Sequence, residues 1–114
     1  MARSVLPDPL RRRHLIEREL PAAQALRIGE AYLAEGRAIE AVDFLRKAGA
    51  AERLNELRRS AVEAGDSFLL RAAAAAAGEA PRQEEWEAVA RAAEAAGKLR
   101  YAADARQQLN RGGE

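Results

Sequence analysis

The stretch 25–48 reads ALRIGEAYLAEGRAIEAVDFLRKA and contains the pattern that decides the fold. Apolar residues recur three or four positions apart on both sides of a central glycine, as in two amphipathic helices joined by a turn. Small residues at Gly29 and Ala41 would let the two helix backbones approach closely, and Tyr32 and Leu45 would fill the space around that contact. The stretch therefore predicts an antiparallel helical hairpin.

The composition of the whole chain favours helices. Its 114 residues include 29 Ala, the best helix former, but no Thr and only seven Val and Ile together, so a β-sheet protein is close to excluded. Leu, Ile, Val and Phe amount to 22 residues, which predicts one folded domain with a thin, alanine-rich core. The net charge of +1 gives no general attraction to nucleic acid or to an anionic membrane, and the absence of cysteine excludes disulfides and thiolate metal sites.

Proline and glycine divide the chain at intervals that suit short helices. Because every connection is short, we expect an all-α protein of about seven helices whose successive members pack antiparallel. Residues 1–20 would form a basic capping helix, 21–110 three hairpins and 111–114 a disordered tail. The predicted helices cover about 9–19, 21–36, 37–48, 51–64, 67–77, 81–96 and 98–110.

Three of the turns share a repeating pattern. The stretches AYLAEG, SAVEAG and AAEAAG end at Gly36, Gly65 and Gly97, with spacings of 29 and 32 residues. These spacings lie in the range of helical-hairpin repeats, and the flanking positions hold apolar residues in all three copies.

The first copy resembles a tetratricopeptide repeat, and the third copy does so less closely. The second copy departs from the pattern, with Arg58 where a small residue is expected and Leu70 in place of alanine. The resemblance implies an α-solenoid of stacked hairpins, and a compact helical bundle is the alternative. The residues that carry it are Ile28, Gly29, Tyr32, Ala41, Leu45 and Ala48 in the first copy, and Trp86, Val89, Ala90 and Ala102 in the third.

The same resemblance implies a concave groove lined by the first helix of each hairpin. Family members that hold a C-terminal carboxylate of chaperones use Lys, Arg and Asn at such positions, whereas Leu26, Glu30 and Glu87 occupy several of them here. We therefore expect a helix or extended segment of another protein, with an apolar anchor and basic side chains, rather than a chaperone tail. The predicted groove residues are Leu26, Glu30, Leu33, Asn55, Arg59, Val62, Glu87, Arg91 and Glu94.

Residues suited to catalysis or metal binding are sparse. His14 is the only histidine, and we interpret it as a solvated neighbour of Glu17, because a metal site needs three or four ligands. The chain contains no glycine-rich phosphate loop. None of its hydroxyls, on Ser4, Ser60 and Ser67, lies in a nucleophile elbow. We interpret Glu84, Glu85 and Glu87 as first-turn acids that suit the helix dipole.

These observations predict a non-catalytic adaptor or scaffold component that binds another protein and uses no cofactor or metal. No signal peptide or membrane-spanning segment is evident, which indicates the cytoplasm. One alternative is an RNA- or nucleoprotein-associated protein that uses the basic patch Arg11, Arg12, Arg13 and Arg18, although a solvated helix face explains this patch more simply. A second alternative is a homodimer formed through an unfinished end near Leu99, Tyr101 and Leu109. Trp86 and Tyr101 are expected in the core.

Overall fold

A computed structural model describes residues 6–112, and this part of the chain contains seven α-helices and no strand. The all-α prediction is confirmed. The chain divides into two compact units, and the boundary falls inside the fourth helix, between Leu54 and Asn55. The helices are α1 (Pro9–Glu17), α2 (Ala22–Ala34), α3 (Ala38–Lys47), α4 (Ala51–Ala64), α5 (Ser67–Ala77), α6 (Gln83–Ala95) and α7 (Leu99–Gly112).

The helix ends follow the predicted breakers with few exceptions. Asp8 caps α1 by accepting a hydrogen bond from the Arg11 backbone N–H at 2.9 Å, as the Asp-Pro pair indicates. α6 starts at Gln83 rather than 81, because Arg82 has an extended backbone and its N–H donates to the Glu85 side chain. α7 continues to Gly112, two residues beyond the predicted helix end. Residues 1–5 and 113–114 lie outside the described range.

In the first unit, α2 packs against α3 as the predicted hairpin. Tyr32 is fully buried and stacks on Phe44, with 5.6 Å between the ring centroids. A Cβ atom at Gly29 would lie 2.9 Å from the Leu45 Cδ2 atom, so the close helix approach inferred from the sequence is present.

Arg12, together with the buried Leu15, attaches α1 to this hairpin. Leu15 is buried as expected for a capping helix, but Leu10 is 68% exposed. The Arg12 guanidinium donates to the Glu40 carbonyl at 3.0 Å and to the Asp43 carboxylate at 3.3 Å. It also lies 5.5 Å from the ring centroids of both Tyr32 and Phe44, at a distance where cation and ring attract each other.

In the second unit, α6 packs against α7, and α5 contacts both. The part of α4 from Asn55 onward runs beside α6 in the same direction, because Arg58 reaches Glu85 and Gly65 lies against Ala93. A Cβ atom at Gly65 would lie only 2.5 Å from the Ala93 backbone nitrogen. The small side chains of this unit thus permit backbone-to-backbone contact.

Both lysines of the chain hydrogen-bond to the carbonyl of a residue at the end of a helix. The Lys47 ammonium donates to the Arg18 carbonyl, just after α1, at 3.0 Å. The Lys98 ammonium donates to the Ala64 carbonyl, the last residue of α4, at 2.7 Å. A cation at this end of a helix satisfies a free carbonyl and interacts favourably with the helix dipole.

None of the helices in residues 6–112 combines the length and the apolar character that crossing a lipid bilayer requires.

Candidate functional site

A buried ion pair between α4 and α6 organises the polar end of the second unit. The Arg58 Nε and Nη2 atoms donate to the two carboxylate oxygens of Glu85 at 2.8 and 2.7 Å. The same guanidinium donates to the carbonyls of Glu79 and Ala80, each at 2.9 Å. The side chains of Arg58 and Glu85 are only 6% and 12% exposed. Arg58 therefore joins α4, the loop before α6 and α6 itself.

The electrostatics of this pair keep both groups charged. The hydrogen bonds from Arg58 hold the pKa of the Glu85 carboxyl below its ordinary value, and burial opposes that shift only in part. The same contact with Glu85 raises the pKa of Arg58. Glu85 is thus more than a first-turn acid, because it accepts from both the Arg82 backbone and Arg58.

An open cavity of about 280 Å³ lies next to the ion pair. Two of its residues, Asn55 and Arg59, belong to the predicted groove. We call this cavity the arginine pocket. It is lined by Asn55, Arg58, Arg59, Glu79, Arg82 and Glu85.

The cations of the arginine pocket differ in how fully they are bonded. Arg59 is exposed and makes no hydrogen bond or ion pair with any residue that the structure describes. Arg82 approaches Glu79, Glu84 and Glu85 at 3.7–3.9 Å. These distances are too long for hydrogen bonds, so the guanidinium groups of Arg59 and Arg82 keep donors available for a ligand.

The predicted groove residues on α2 form one stripe of the first unit. Leu26 is 39% exposed, and Leu33 is half-buried. Between them, the Glu30 carboxylate accepts from Arg53 Nε at 2.7 Å and from Nη2 at 2.8 Å. These hydrogen bonds lower the pKa of Glu30. The stripe therefore offers apolar surface and a carboxylate that is already paired.

The groove residues of the second unit lie on the outer sides of α4 and α6. Val62 is half-buried, whereas Glu87, Arg91 and Glu94 are exposed. Glu94 is paired with Arg106 of α7 at 2.6 Å. Of the two acids behind the expectation of a basic partner, Glu30 is paired within the protein, whereas Glu87 is exposed and has no ion pair with the described residues. Within residues 6–112, the charged groove residues without an ion pair are Arg59, Glu87 and Arg91.

The basic patch on α1 is smaller than the sequence indicates. Arg12 is turned towards α3 as described above, and Arg13 pairs with Glu17 of its own helix at 3.1 Å. Arg11 and Arg18 remain as exposed cations. Such a patch offers two unpaired phosphate contacts rather than four.

The other singled-out residues form no reactive cluster. His14 is exposed, and Ser67 is fully buried, with an Oγ atom that has no hydrogen-bond partner among the described residues. No group of three or more His, Asp or Glu side chains in residues 6–112 could hold a metal ion. Trp86 is in the core as expected, while Tyr101 is half-buried and packs edge-on against Phe68 at 5.3 Å.

The residues predicted for a dimer contact are only partly exposed. Leu99 is 74% exposed, but Tyr101 and Leu109 are half-buried. The other exposed positions of α7 are mostly polar, among them Arg100 and Arg106. This helix therefore presents one isolated leucine to solvent, which is ordinary for a protein surface.

The chain matches no protein-family model, no curated protein and no solved structure. The likeness to tetratricopeptide repeats consequently rests on the residue pattern alone.

Sequence reasoning missed half of the arginine pocket. Glu79 and Arg82 come from the loop before α6, and Arg58 was interpreted as a departure from the repeat. The combination of Arg58 with an acid in the first turn of α6 was the one available signal. A cation replacing a small residue on a buried helix face needs a carboxylate, and Glu85 is one of three acids near the start of α6.

Proposed function

We propose that this chain is a non-catalytic protein-interaction module of tetratricopeptide-like hairpins, an adaptor or scaffold component in the cytoplasm. Its exposed helix faces would bind a helix or extended segment of another protein. The observation that carries this proposal is the contrast between adjacent arginines: Arg58 is fully engaged in holding α4 against α6, whereas Arg59 is presented to solvent without a partner. The two helices are thus held together directly beside Arg59, an exposed cation that is free to bind a ligand.

The ionisable groups support binding rather than proton transfer. The pKa of Glu30, Glu40 and Glu85 is lowered in each case, first by a hydrogen bond from an arginine. General acids and bases work best when their pKa lies near the pH of the reaction. These carboxylates instead stay ionised at neutral pH, and those of Glu30 and Glu85 each pair with an arginine of another helix.

Site-specific photo-cross-linking in the organism that makes the protein tests this function. A photoreactive amino acid replaces Glu63, one helical turn from Arg59, or Arg91 of α6, and Arg100 of α7 serves as an equally exposed control. We expect the same protein to be cross-linked from positions 63 and 91 and to be missing from position 100. Circular dichroism confirms that each variant is folded.

Two outcomes would contradict the proposal. Equal cross-linking from all three positions would mean that these helix faces have no specific partner. Cross-links to RNA from positions 63 and 91, lost on nuclease treatment, would assign these helix faces to nucleic acid instead.

A further inference from the structure

The size of the arginine pocket limits what it can bind. Its volume of about 280 Å³ lies at the lower limit of the roughly 300–1,000 Å³ of small-molecule and cofactor sites. All its lining residues are polar or charged: three Arg, two Glu and one Asn. A site of this size and polarity suits one or two polar side chains of a larger ligand.

The charges in the pocket favour an anionic group. Arg58 and Glu85 neutralise each other within their buried pair. The Arg82 guanidinium lies 3.9 Å from the carboxylate of Glu79 and 3.7 Å from that of Glu84 and hydrogen-bonds to neither. Arg59 has no partner among the described residues, so it is the cation whose donors are free. A guanidinium with free donors binds a carboxylate through two parallel hydrogen bonds.

The lining also indicates the kind of molecule that carries the anion. Asn55 contributes both a donor and an acceptor, which match the N–H and C=O of a peptide group. No aromatic side chain lines the pocket, so a nucleobase would have nothing to stack on.

We propose that the arginine pocket binds a carboxylate side chain of an acidic peptide segment, with Arg59 as its main contact, Arg82 as the second cation and Asn55 bonding to the peptide backbone. This inference rests on the proposed function and adds the chemistry of the partner. Its charge is opposite to that of the basic partner expected from the sequence, because Glu30 is already paired within the protein and the pocket presents the unpaired Arg59 instead.

Fluorescence anisotropy with defined probes tests the proposal. The full chain is titrated into a labelled peptide of four consecutive glutamates flanked by glycines, and separately into its glutamine counterpart. We expect the glutamate peptide to bind at least about tenfold more tightly at low ionic strength and to weaken as salt screens the charges. Equal affinity for the two peptides would overturn the proposal.

Two matched arginine substitutions test whether the glutamate peptide binds at the arginine pocket. Arg59→Gln should weaken binding of the glutamate peptide roughly tenfold, because a charge-assisted contact is lost. Arg100→Gln removes the same charge from an exposed position of the same unit and should change the affinity less than about twofold. Equal losses in both variants would show a general charge effect and overturn the proposal.

A charge-reversing substitution distinguishes loss of the Arg59 contact from loss of folding. Arg59→Glu should gain affinity for a lysine version of the peptide while losing the glutamate peptide, which a misfolded variant would not do. Tighter binding of an oligothymidylate than of the peptide, with loss on Arg59→Gln, would assign the pocket to nucleic acid. Displacement of the peptide by inorganic phosphate at equal concentration would show a simple anion site instead.

The two proposals fail separately. If positions 63 and 91 cross-link to a protein but the glutamate peptide does not bind, the interaction module stands and the acidic partner is wrong. If the peptide binds but no protein is cross-linked in cells, the pocket is real and the adaptor function is wrong.

Discussion

A cationic side chain at position 58 replaces the small residue that the hairpin pattern requires, and the fold accommodates it through Glu85. The repeat pattern identified Arg58 as unusual because the pattern compares residues that are close in sequence. It could not identify Glu85 as the partner of Arg58, since the two residues are 27 positions apart and meet only when α4 and α6 pack together. Bonds to two loop carbonyls then satisfy most of the remaining guanidinium donors.

Loss of this pair should be costly. Glu85→Ala leaves Arg58 as an uncompensated buried charge and removes the side chain that caps α6, so we expect a loss of about 3–5 kcal/mol in the free energy of unfolding. Glu84→Ala, which removes an acid that is 82% exposed, should stay within about 0.5 kcal/mol. Urea titration of the two variants measures the difference, and similar values would show that the buried pair contributes little.

Substitution of Tyr32 alone tests the packing of the core of the first unit. It is fully buried, and Tyr32→Ala should cost about 3–5 kcal/mol because the stacking partner Phe44 is left facing a cavity. The Tyr32 hydroxyl makes no hydrogen bond with the described residues, so Tyr32→Phe should change stability by less than about 1 kcal/mol. Denaturant unfolding compares them; a loss below about 1 kcal/mol for the alanine variant would be inconsistent with this core.

At the scale of helices, the sequence predicted boundaries well because the signals are local. Asp8, Asp66 and Gly78 act within one turn of the residues they cap, as their hydrogen bonds and backbone angles show. The start of α6 was misplaced because a proline usually marks the first helical position, whereas here Arg82 forms the cap with Glu85. Any residue can supply the backbone N–H that donates to Glu85, so an arginine at the N-cap position is not a recognisable sequence signal.

Two helix-ending glycines that look alike in sequence should differ sharply in their tolerance of alanine. Both have positive φ, +73° at Gly36 and +69° at Gly65. Gly36→Ala should cost about 1–2 kcal/mol for the left-handed backbone alone. Gly65→Ala should cost about 2–3 kcal/mol more, because the new Cβ meets the backbone of α6 and no rotamer change relieves the overlap.

Thermal or urea unfolding of the two glycine variants gives this difference directly. Equal costs would mean that the backbone of α4 does not approach α6 as closely as described.

The packing of α1 against α3 should depend largely on Arg12. Arg12→Ala removes two hydrogen bonds and two ring contacts, so amide hydrogen exchange in Pro9–Glu17 should become about tenfold faster or more. Arg13→Ala removes only an exposed pair within α1 and should change that exchange far less. Mass spectrometry of the exchanged peptides distinguishes the two variants, and equal acceleration would point to helix propensity instead.

Across the whole molecule, composition predicted the all-α class because alanine is abundant and β-branched residues are scarce along the entire sequence. It did not predict the division at Leu54, which falls within a helix that carries no breaker. Of the nine predicted groove residues, Asn55 and Arg59 line the arginine pocket. The pairing of Glu30 and Glu94 could not be foreseen, because either acid had several arginines within reach along the sequence.

The paired carboxylates predict how the protein responds to acid. The pKa of Glu85 in the folded protein lies below its ordinary value of 4.5, so the unfolded chain binds protons more readily in this range. The stability from this pair is therefore complete above pH 4.5 and is lost as the pH falls through the lowered pKa. Glu85→Gln should flatten the fall in unfolding free energy below that pH, measured by urea titration, and Glu84→Gln should leave it unchanged.

The two lysines have a practical consequence for anyone who labels or immobilises the protein. Lys47 and Lys98 are the only side-chain amines in the chain, and each donates to the carbonyl of a residue at the end of a helix. Acylation by amine-directed reagents, or enzymatic acetylation, would remove a positive charge and a hydrogen bond from a helix end each time it succeeded. Coupling chemistry directed at carboxylates that have no ion pair, such as Glu87, would leave these contacts intact.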